Sequence, residues 1–342
     1  MKEKKDDKLE KLTTIIQKKL DGNPVILVGS GGSIPYGLPS MKDLADKIFE
    51  ELNDKYSTDE SWKDFIVELE TSNNLEYALE KIELNENIHH SIISVIWKFI
   101  DQADRKAITS FLKTVTTPAI SLILKKFVQQ TGTTNIITTN YDRVIEYAID
   151  AVQGNVRSGF QGDCVKTFGF TSERNNVKRC INLFKVHGSI DWFRHKENFN
   201  LVATNFYDQI ELADSYDAMI VTPGNGKYKE THNDPFRTVM AEADKALRNS
   251  PSYLCVGYGF NDEHIQPIII DENRNKTKPI VIVTKDVTQK MEELFLTVKD
   301  SNCIILSENS GGGTMVRYSK SDSVVFDEEY WKLDQFYKLW LE

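Results

Sequence analysis

Two polar residues, an asparagine and a histidine, each follow a buried strand in the pattern of the sequence. Asn140 ends the first half of NIITTNYDRVIEYAI, and His187 precedes Gly188 in LFKVHGSIDWF. An amide side chain donates and accepts hydrogen bonds in a fixed geometry, and an imidazole titrates near neutral pH. Because ligands bind outside the carboxyl ends of parallel strands, we expect Asn140 and His187 to face one crevice, where they could position a substrate and move a proton.

Thr139 and Asp142 flank Asn140 in the same predicted turn and belong to the same candidate site. Taken alone, the segment has a simpler interpretation. Asn140 would be a turn asparagine, Asp142 the N-cap of the helix that follows, and His187 a satisfied neighbour of the core. The combination of two strand ends with a possible phosphate-binding turn favours a binding site over those three separate roles.

That turn lies in VILVGSGGSIPYGLPS, from Val25 to Ser40, where a predicted strand ends in small residues. Glycine tolerates positive φ and has no Cβ, so such a turn can direct several backbone N–H groups at a diphosphate. The residues that we assign to this phosphate cradle are Gly29, Ser30, Gly31 and Ser33. A purely structural tight turn is the alternative.

The same stretch departs from the usual dinucleotide fingerprint, G-x-G-x-x-G/A running directly into a helix. Ile34 occupies the third glycine place, and Pro35 and Pro39 follow. We therefore expect an extended loop over residues 34–39 that lies over the ligand, and a helix that begins only after Ser40 caps it through an S-x-x-D box. A second strand and glycine turn, YLCVGYGFNDEHI, and the strand that ends at Thr284 suit the other half of a dinucleotide; Gly257 and Tyr258 are its candidate contacts.

Short β-branched runs between turn residues predict buried parallel strands that alternate with helices. The runs are Val25–Val28, Asn135–Thr139, Ile181–Val186, Ala218–Thr222, Tyr253–Val256, Ile280–Thr284 and Cys303–Leu306. The predicted fold class is α/β, a Rossmann-like doubly wound parallel sheet with a helical insertion after the first strand.

Four parts of the chain follow from this pattern. Residues 1–40 hold an N-terminal helix, the first strand and the glycine turn; 41–115 are the helical insertion; 116–308 are the remainder of the nucleotide-binding domain; and 309–342 are a flexible loop and a C-terminal helix. The N-terminal helix should dock on its own domain in preference to another subunit. The aromatic stripe of the C-terminal helix favours core packing or a subunit contact over a base-stacking platform.

Composition excludes several classes of protein. The net charge of −9 argues against direct nucleic-acid binding. The four cysteines, at 164, 180, 255 and 303, lack the paired spacing of a zinc site, so we expect no zinc and a reducing compartment. No stretch reaches the ~20 apolar residues of a membrane span, and no signal peptide begins the chain. The expected location is the cytoplasm.

In combination and in this order, GSGGSIPYGLP, TTNYD, KVHGS and VGYGFNDEHI resemble the sirtuin-like NAD-consuming family, specifically the bacterial anti-phage defence NADases. The resemblance covers residues 24–285. It implies that the glycine turn wraps the diphosphate of NAD and that Gly257, Tyr258 and Thr284 lie near its adenosine half. It further implies that Asn140 contacts the nicotinamide-side ribose or orders a water, that Asp142 binds the carboxamide, and that His187 is the acid/base group.

The resemblance also implies an activity, with NAD as the substrate. The chain lacks the four-cysteine zinc module of deacylating sirtuins, so water is the expected nucleophile and the products are nicotinamide and ADP-ribose. Two alternatives are an NAD-dependent protein deacylase and a non-catalytic module that senses NAD or ADP-ribose. Enzymes of the resembled type deplete NAD in anti-phage defence and are controlled by assembly, which implies a homo-oligomer or a partner such as a HerA-like ATPase.

Overall fold

The predicted strands assemble into one large sheet in the computed structural model, which describes residues 2–129, 133–169, 180–204, 215–222, 233–262, 264–298 and 302–342. The strands of this sheet are β1 (Val25–Val28), β2 (Thr134–Thr138), β3 (Asn155–Arg157), β6 (Cys180–Lys185), β10 (Tyr253–Val256), β11 (Ile280–Val283), β12 (Cys303–Glu308), β13 (Thr314–Arg317) and β14 (Ser323–Phe326). Their order is β14-β13-β12-β11-β10-β1-β2-β6-β3.

All pairs from β3 to β12 are parallel, and β1 lies between β10 and β2. The four residues of β1, β10 and β11 are all buried, as expected for strands covered on both faces. The α/β class and the mostly parallel sheet are therefore confirmed. The order also reverses direction at β1, so the carboxyl ends of β1, β2 and β10 form the switch point at which open sheets bind ligands.

Helices cover both faces of this sheet. They are α1 (Lys2–Lys19), α6 (Ile120–Val128), α7 (Val144–Ala151), α8 (Phe236–Asn249), α9 (Gln266–Lys276), α10 (Gln289–Met291, continued by a π-helical turn over Glu292–Leu296) and α11 (Leu333–Leu341). One face packs on α1, α6, α7 and α11, and the other on α8, α9 and the turn after α10. Leu12, Ile16 and Leu20 are fully buried, so the N-terminal helix docks on its own domain as predicted.

One predicted parallel strand is wrong. The run Ala218–Thr222 belongs to β9 (Tyr216–Ile220), which pairs antiparallel with β7 (Gly188–His195) in a separate five-stranded sheet. The other members of that sheet are β4 (Phe160–Gln161), β5 (Val165–Phe168) and β8 (Leu201–Thr204), in the order β4-β5-β8-β7-β9. A short apolar run carries no information about the direction of its partner, and this run has a half-buried first part.

The predicted helical insertion is present as four helices: α2 (Met41–Tyr56), α3 (Glu60–Ser72), α4 (Leu75–Lys81) and α5 (Glu86–Thr114). Ser40 caps α2 through the predicted box with Asp43, in which each side chain bonds the other residue's backbone N–H. The four helices form their own apolar core, which also includes Tyr141 and Val144 from the chain after β2. The insertion is therefore joined to the carboxyl end of β2.

The carboxyl-terminal segment differs from its composition-based prediction. Residues 309–323 are predicted to be a flexible loop, but β13 and β14 form an antiparallel hairpin at the edge of the large sheet. The glycines 311–313 make the turn that enters this hairpin, with Gly312 and Gly313 at positive φ. The aromatic stripe of α11 packs in the core, where the rings of Phe127 and Trp340 lie 5.5 Å apart. No helix among the described residues is long and apolar enough to span a membrane.

Candidate active site

Loops after β1, β2, β6 and β10 surround a cavity of about 160 Å³ at the switch point of the sheet. Of the predicted site residues, eight line it: Gly29, Ser30, Ser33, Thr139, Asn140, Asp142, His187 and Tyr258. The helical insertion forms its outer wall with Met41, Leu44, Glu76 and Ile100. Asn140 and His187, which the sequence places 47 positions apart, are thus brought to one cavity, because parallel strands end at the same edge of a sheet.

Asn140 is held by hydrogen bonds that use its amide nitrogen. Its Nδ2 donates to the Gly29 carbonyl and to Ser33 Oγ, each at 3.0 Å. Its backbone N–H donates to Thr138 Oγ1 at 3.1 Å. Because both Nδ2 hydrogens are donated to the protein, the side-chain carbonyl oxygen is the atom of Asn140 that can accept from a ligand.

Ser33 connects Asn140 to Asp142. Its hydroxyl accepts from Asn140 and donates to Asp142 Oδ1 at 3.0 Å, and the same carboxylate oxygen accepts the Val144 N–H at 3.0 Å. Burial raises the pKa of Asp142 above its ordinary value, and the nearby Lys185 ammonium opposes that shift. The sequence assigned Ser33 to the diphosphate; in the structure its hydroxyl instead orients the two polar side chains of the β2 turn.

A fully buried lysine binds the backbone of the turn after β2. Lys185 Nζ donates to the carbonyl oxygens of Tyr141 and Asp142, at 3.3 and 2.5 Å, and lies 3.0 Å from Glu146 Oε1. An ammonium has three donors, and these three acceptors satisfy them. Lys185, at the end of β6, therefore holds the backbone of the turn after β2. This backbone in turn orients Asn140 and Asp142 toward the cavity.

The glycine turn after β1 has a different construction from the predicted one. Residues 30–32 and 34–36 form two single 3-10 turns, so the extended loop predicted over residues 34–39 is wrong. The N–H groups of Gly29, Gly31, Gly32 and Ser33 donate to carbonyl oxygens within the protein. A set of outward N–H groups is therefore not present in this conformation, and binding of the diphosphate here stays a prediction.

Close packing of two backbones explains the glycines instead. A Cβ at Gly29 would lie 2.5 Å from the carbonyl oxygen of Gly257, and one at Gly31 would lie 2.7 Å from the Gly257 Cα. Gly257 itself has φ +53°, and a Cβ there would lie 2.4 Å from the carbonyl carbon of Gly31. The turns after β1 and β10 can approach this closely only without side chains.

Replacement of Gly257 by alanine is expected to destabilise the protein by roughly 1 to 3 kcal/mol, because the new Cβ meets backbone that cannot move alone. Gly37→Ala is the matched control: its φ is +86° and nothing lies within 4 Å of its added Cβ, so only the backbone strain remains. Urea unfolding of the two variants measures the difference. Equal losses would show that steric contact with Gly31 is not the reason for glycine at 257.

His187 occupies the tight turn between β6 and β7. Gly188, at φ +85°, lies so close to Met219 that a Cβ would be 2.0 Å from its carbonyl oxygen, and the carbonyl of His187 accepts the Val221 N–H at 2.8 Å. The imidazole Nε2 lies 2.6 Å from Oδ2 of Asp262, and both side chains are buried. Asp262, which the sequence-based site did not include, is therefore the immediate neighbour of the predicted acid/base group.

Of the remaining predicted ligand contacts, some line the cavity and others do not. Tyr258 lines the cavity with a buried hydroxyl that has no hydrogen-bond partner among the described residues, and burial raises its pKa well above the ordinary value. Gly31 and Gly257 pack against each other outside the cavity lining. Thr284 follows β11, and its hydroxyl donates to the Asp286 carbonyl at 3.0 Å. Tyr258 thus shares the cavity with His187, whereas Gly257 and Thr284 do not line it.

Acidic side chains dominate the charge of the cavity. Glu76 of α4, Asp142 and Asp262 contribute three carboxyl groups, and His187 is the one titratable base among the described residues of the lining. Glu76 was absent from the sequence-based site. A cavity with this lining suits a cationic group better than a diphosphate, because opposite charges attract strongly where water is excluded.

The insertion also contacts the turn after β2 through a buried ion pair. Asp104 of α5 accepts from the Arg143 backbone N–H at 2.8 Å and from its guanidinium at 3.0 and 2.6 Å, and it accepts the Tyr147 hydroxyl at 2.5 Å. The exposed fractions of the two charged side chains are 9% and 0%. Arg143 directly follows Asp142, so this ion pair connects α5 to the polar turn.

Glu146 gives the network a pH dependence. Burial raises its pKa from 4.5 to about 6, although Lys185 opposes the shift. A pKa raised by folding stabilises the protein fully below the unfolded value, near 4.5, and that stabilisation is lost as pH rises through about 6. Glu146→Gln stays neutral, so its stability relative to the unaltered protein should increase by about 2 kcal/mol between about pH 4 and about pH 7.5. Denaturant unfolding at both values measures this; a constant difference would contradict it.

Among the residues that the structure describes, no group of three His, Cys, Asp or Glu side chains is arranged to hold a metal ion. Cys255 and Cys303 are buried in the sheet, Cys180 is half-buried and Cys164 is exposed, all four as free thiols.

Comparisons with known proteins found one family model and several similar solved structures. A family model described as SIR2-like domain matches residues 134–304. A comparison with curated proteins found no match. Similar solved structures include a Sir2 homologue variant in complex with 2'-O-acetyl ADP ribose, at 15% identity and a TM-score of 0.47, covering 82% of this chain and 86% of that chain. A Sir2 homolog–NAD complex is similar at 13% identity and a TM-score of 0.44, covering 86% and 87%.

Proposed function

Because the chain belongs to the family of SIR2-like domains, we propose that it is an NAD glycohydrolase, which cleaves NAD with water to nicotinamide and ADP-ribose. The observation that carries this proposal is the single acidic cavity that Asn140, Asp142 and His187 share under the helical insertion. Its acidic lining suits the nicotinamide ribose, which is the cationic end of NAD. The negative diphosphate would lie beyond the side of the cavity that Gly29 and Ser30 line, toward Gly31.

Hydrolysis breaks the bond between the ribose anomeric carbon and the ring nitrogen of nicotinamide. The bonding electrons return to the ring, which leaves as a neutral molecule, and the sugar passes through an oxocarbenium-like state. The oxygen of water then bonds to the anomeric carbon, and its proton passes to His187 and from there to solvent. Nicotinamide is a good leaving group, so the protein's task is to orient the sugar and accept this proton.

The hydrogen bonds on Asn140 define its part in this reaction. Its Nδ2 is committed to Gly29 and Ser33, so its side-chain oxygen faces outward as an acceptor. That oxygen can hold the attacking water or place negative partial charge beside the cationic sugar. Asp142, oriented by Ser33, would receive the carboxamide N–H groups of nicotinamide, and Thr139 lines the same wall.

Size supports a division of the substrate between two regions. The cavity, at about 160 Å³, is smaller than the roughly 300 to 1,000 Å³ of typical ligand pockets, so it accommodates the nicotinamide ribose and not the whole dinucleotide. The adenosine half would extend toward Gly257, Tyr258 and Thr284 at the carboxyl ends of β10 and β11. Entry of NAD then requires the insertion and the glycine turn to separate.

A protein deacylase is the second candidate function, and one observation favours it. A groove of about 490 Å³ lies between α2, α3 and α4 and shares Met41, Glu76 and Asn261 with the cavity. Its apolar floor, which includes Phe49 and Leu69, could admit an acyl chain to the anomeric carbon. An acylated lysine would then replace water as the nucleophile.

One experiment separates the two candidates. Purified protein is incubated with NAD, with and without an acetylated or longer-chain acylated lysine peptide, and nicotinamide, ADP-ribose and O-acyl ADP-ribose are quantified. A glycohydrolase releases nicotinamide and ADP-ribose at the same rate in every arm. Nicotinamide release that requires the peptide would establish the deacylase instead.

Biologically, we propose an effector of bacterial anti-phage defence that acts in the cytoplasm by depleting NAD. An enzyme with this activity must be silent until infection, and control would come from a homo-oligomer or from a partner such as a HerA-like ATPase. The hydrogen bonds between Asp104 of α5 and Arg143 in the turn that carries Asn140 support control of the activity through the insertion. Light scattering of the protein alone and with partners tests this; a monomer that hydrolyses NAD constitutively would contradict it.

A further inference from the structure

We propose that Asp262 is the positioning residue for His187: its carboxylate accepts the Nε2–H, fixes the imidazole in that tautomer and leaves Nδ1 as the nitrogen that takes the proton. This inference rests on the proposed hydrolysis of NAD. It assigns a role to a residue outside the predicted site and specifies which nitrogen of the imidazole is the base.

The contact itself is short and shielded. Nε2 of His187 lies 2.6 Å from Oδ2 of Asp262, and the two side chains are 7% and 4% exposed. The separation is slightly shorter than the roughly 2.7–2.9 Å of charge-assisted hydrogen bonds from a nitrogen to a carboxylate. In this conformation the ring N–H is not aligned with Oδ2, so the bond requires a change in ring orientation, and exclusion of water would strengthen it once formed. A carboxylate only accepts, so the proposed bond requires the hydrogen on Nε2.

The other carboxylate oxygen anchors Asp262 to its own loop. Oδ1 accepts the backbone N–H groups of His264 at 2.9 Å and Ile265 at 3.0 Å, immediately before α9. With Oδ1 committed to the backbone, Oδ2 is directed at the imidazole. The carboxylate therefore cannot turn away from His187 without breaking two backbone hydrogen bonds.

The histidine backbone is equally constrained, by the close approach of Gly188 to Met219 and by the bond from Val221. The two constrained backbones keep the imidazole and the carboxylate within reach of each other. The negative carboxylate would also stabilise the positive charge that the imidazole acquires when it takes the proton of water.

A purely structural role is the competing explanation, since Asp262 caps the turn before α9 as many aspartates do. The Asp262→Asn variant separates the two roles. Asparagine caps helices as well as aspartate, so the turn is retained. Its amide presents a donor or a neutral acceptor to the imidazole and carries no charge.

The experiment combines a spectroscopic and a kinetic measurement. Nitrogen-15 NMR of labelled His187 reports which ring nitrogen carries the hydrogen, and calorimetry reports ADP-ribose binding; NAD turnover gives kcat. The Asp262→Asn variant should lose the Nε2–H tautomer and lose roughly 10²- to 10⁴-fold in kcat, since the same change beside the histidine of a serine protease costs about 10⁴-fold by selecting the wrong tautomer. Its affinity for ADP-ribose should change by less than about threefold, since Asp262 would act on the proton and not on binding.

Asp59→Asn is the matched control, because Asp59 caps α3 by accepting the Trp62 N–H and lies outside the cavity lining. It should match the unaltered protein in all three measurements. A wild-type His187 that carries its hydrogen on Nδ1, or an Asp262→Asn variant with unchanged tautomer and kcat, would overturn the proposal. Because the tautomer is measured without turnover, an inactive wild-type protein would refute the glycohydrolase proposal and leave this one to be judged by NMR.

Discussion

Replacing His187 with glutamine is expected to lower NAD turnover by roughly 10²- to 10⁴-fold, the contribution of a general base. Glutamine retains hydrogen-bonding capacity and similar volume but cannot take a proton. Its amide can still donate to Asp262 Oδ2, which lies 2.6 Å from the present Nε2. The fold should therefore be retained, and the loss should appear in kcat and not in KM.

His90→Gln provides the control, because His90 is exposed on α5 and does not line the cavity. Initial rates of nicotinamide release from the two variants, with thermal unfolding to verify folding, make the comparison. Turnover by folded His187→Gln within a few-fold of the unaltered rate would remove His187 from the catalytic assignment.

Replacing Asp104 with alanine is expected to cost about 3 to 5 kcal/mol of stability, the range for removal of one partner of a buried ion pair. The variant leaves the guanidinium and backbone N–H of Arg143 and the Tyr147 hydroxyl without the carboxylate that accepts from all of them. An arginine guanidinium keeps its charge in proteins, so in the variant it must find another partner or water.

Asp101→Ala is a matched control on the same helix. Asp101 is as fully buried as Asp104, but its partner Arg105 is 47% exposed and can be solvated after the substitution. Denaturant unfolding should therefore show a clearly smaller loss for Asp101→Ala. Equal losses of stability would indicate that the effect comes from the space left in α5 by the removed side chain and not from the unpaired charge of Arg143.

Asp104→Ala also tests the link between the insertion and the reaction. Arg143 lies between Asp142 and α7, so release of its side chain loosens the turn that carries Asn140. Under conditions where the variant remains folded, we expect a lower rate of NAD hydrolysis. An unchanged rate would show that Lys185 and Ser33 hold the turn without help from α5.

The buried strands could be predicted to within a residue or two because their apolar runs are continuous. Val25–Val28 and Tyr253–Val256 have the predicted bounds, and every residue in them is buried. A short apolar run does not reveal the direction of its partner strand, which is why the prediction for 218–222 is wrong although four of its five residues are buried. The hairpin of β13 and β14 was missed because its serines and glycines have the composition of a loop.

For the site, the sequence predicts Asn140 and His187 at strand ends, and the parallel topology of the sheet brings these two ends to one cavity. Glu76 could not be found, because it reaches the cavity from a helix of the insertion whose packing no local pattern encodes. Asp262 could have been found by the same reasoning as Asn140, since it follows the carboxyl end of β10. Ser33 was identified, but its bonds to Asn140 and Asp142 depend on tertiary contacts between two loops.

The central claim, that this cavity directs water to the anomeric carbon of NAD, is tested most directly by hydrolysis in water enriched in the heavy oxygen isotope. Purified protein is given NAD without any acylated peptide, and the ADP-ribose is analysed by mass spectrometry before solvent exchange at the anomeric position. We predict nicotinamide and ADP-ribose in equal amounts, with one heavy oxygen on the ribose, and no product from an Asn140→Ala variant. Intact NAD, or nicotinamide release only when an acylated peptide is added, would contradict the account.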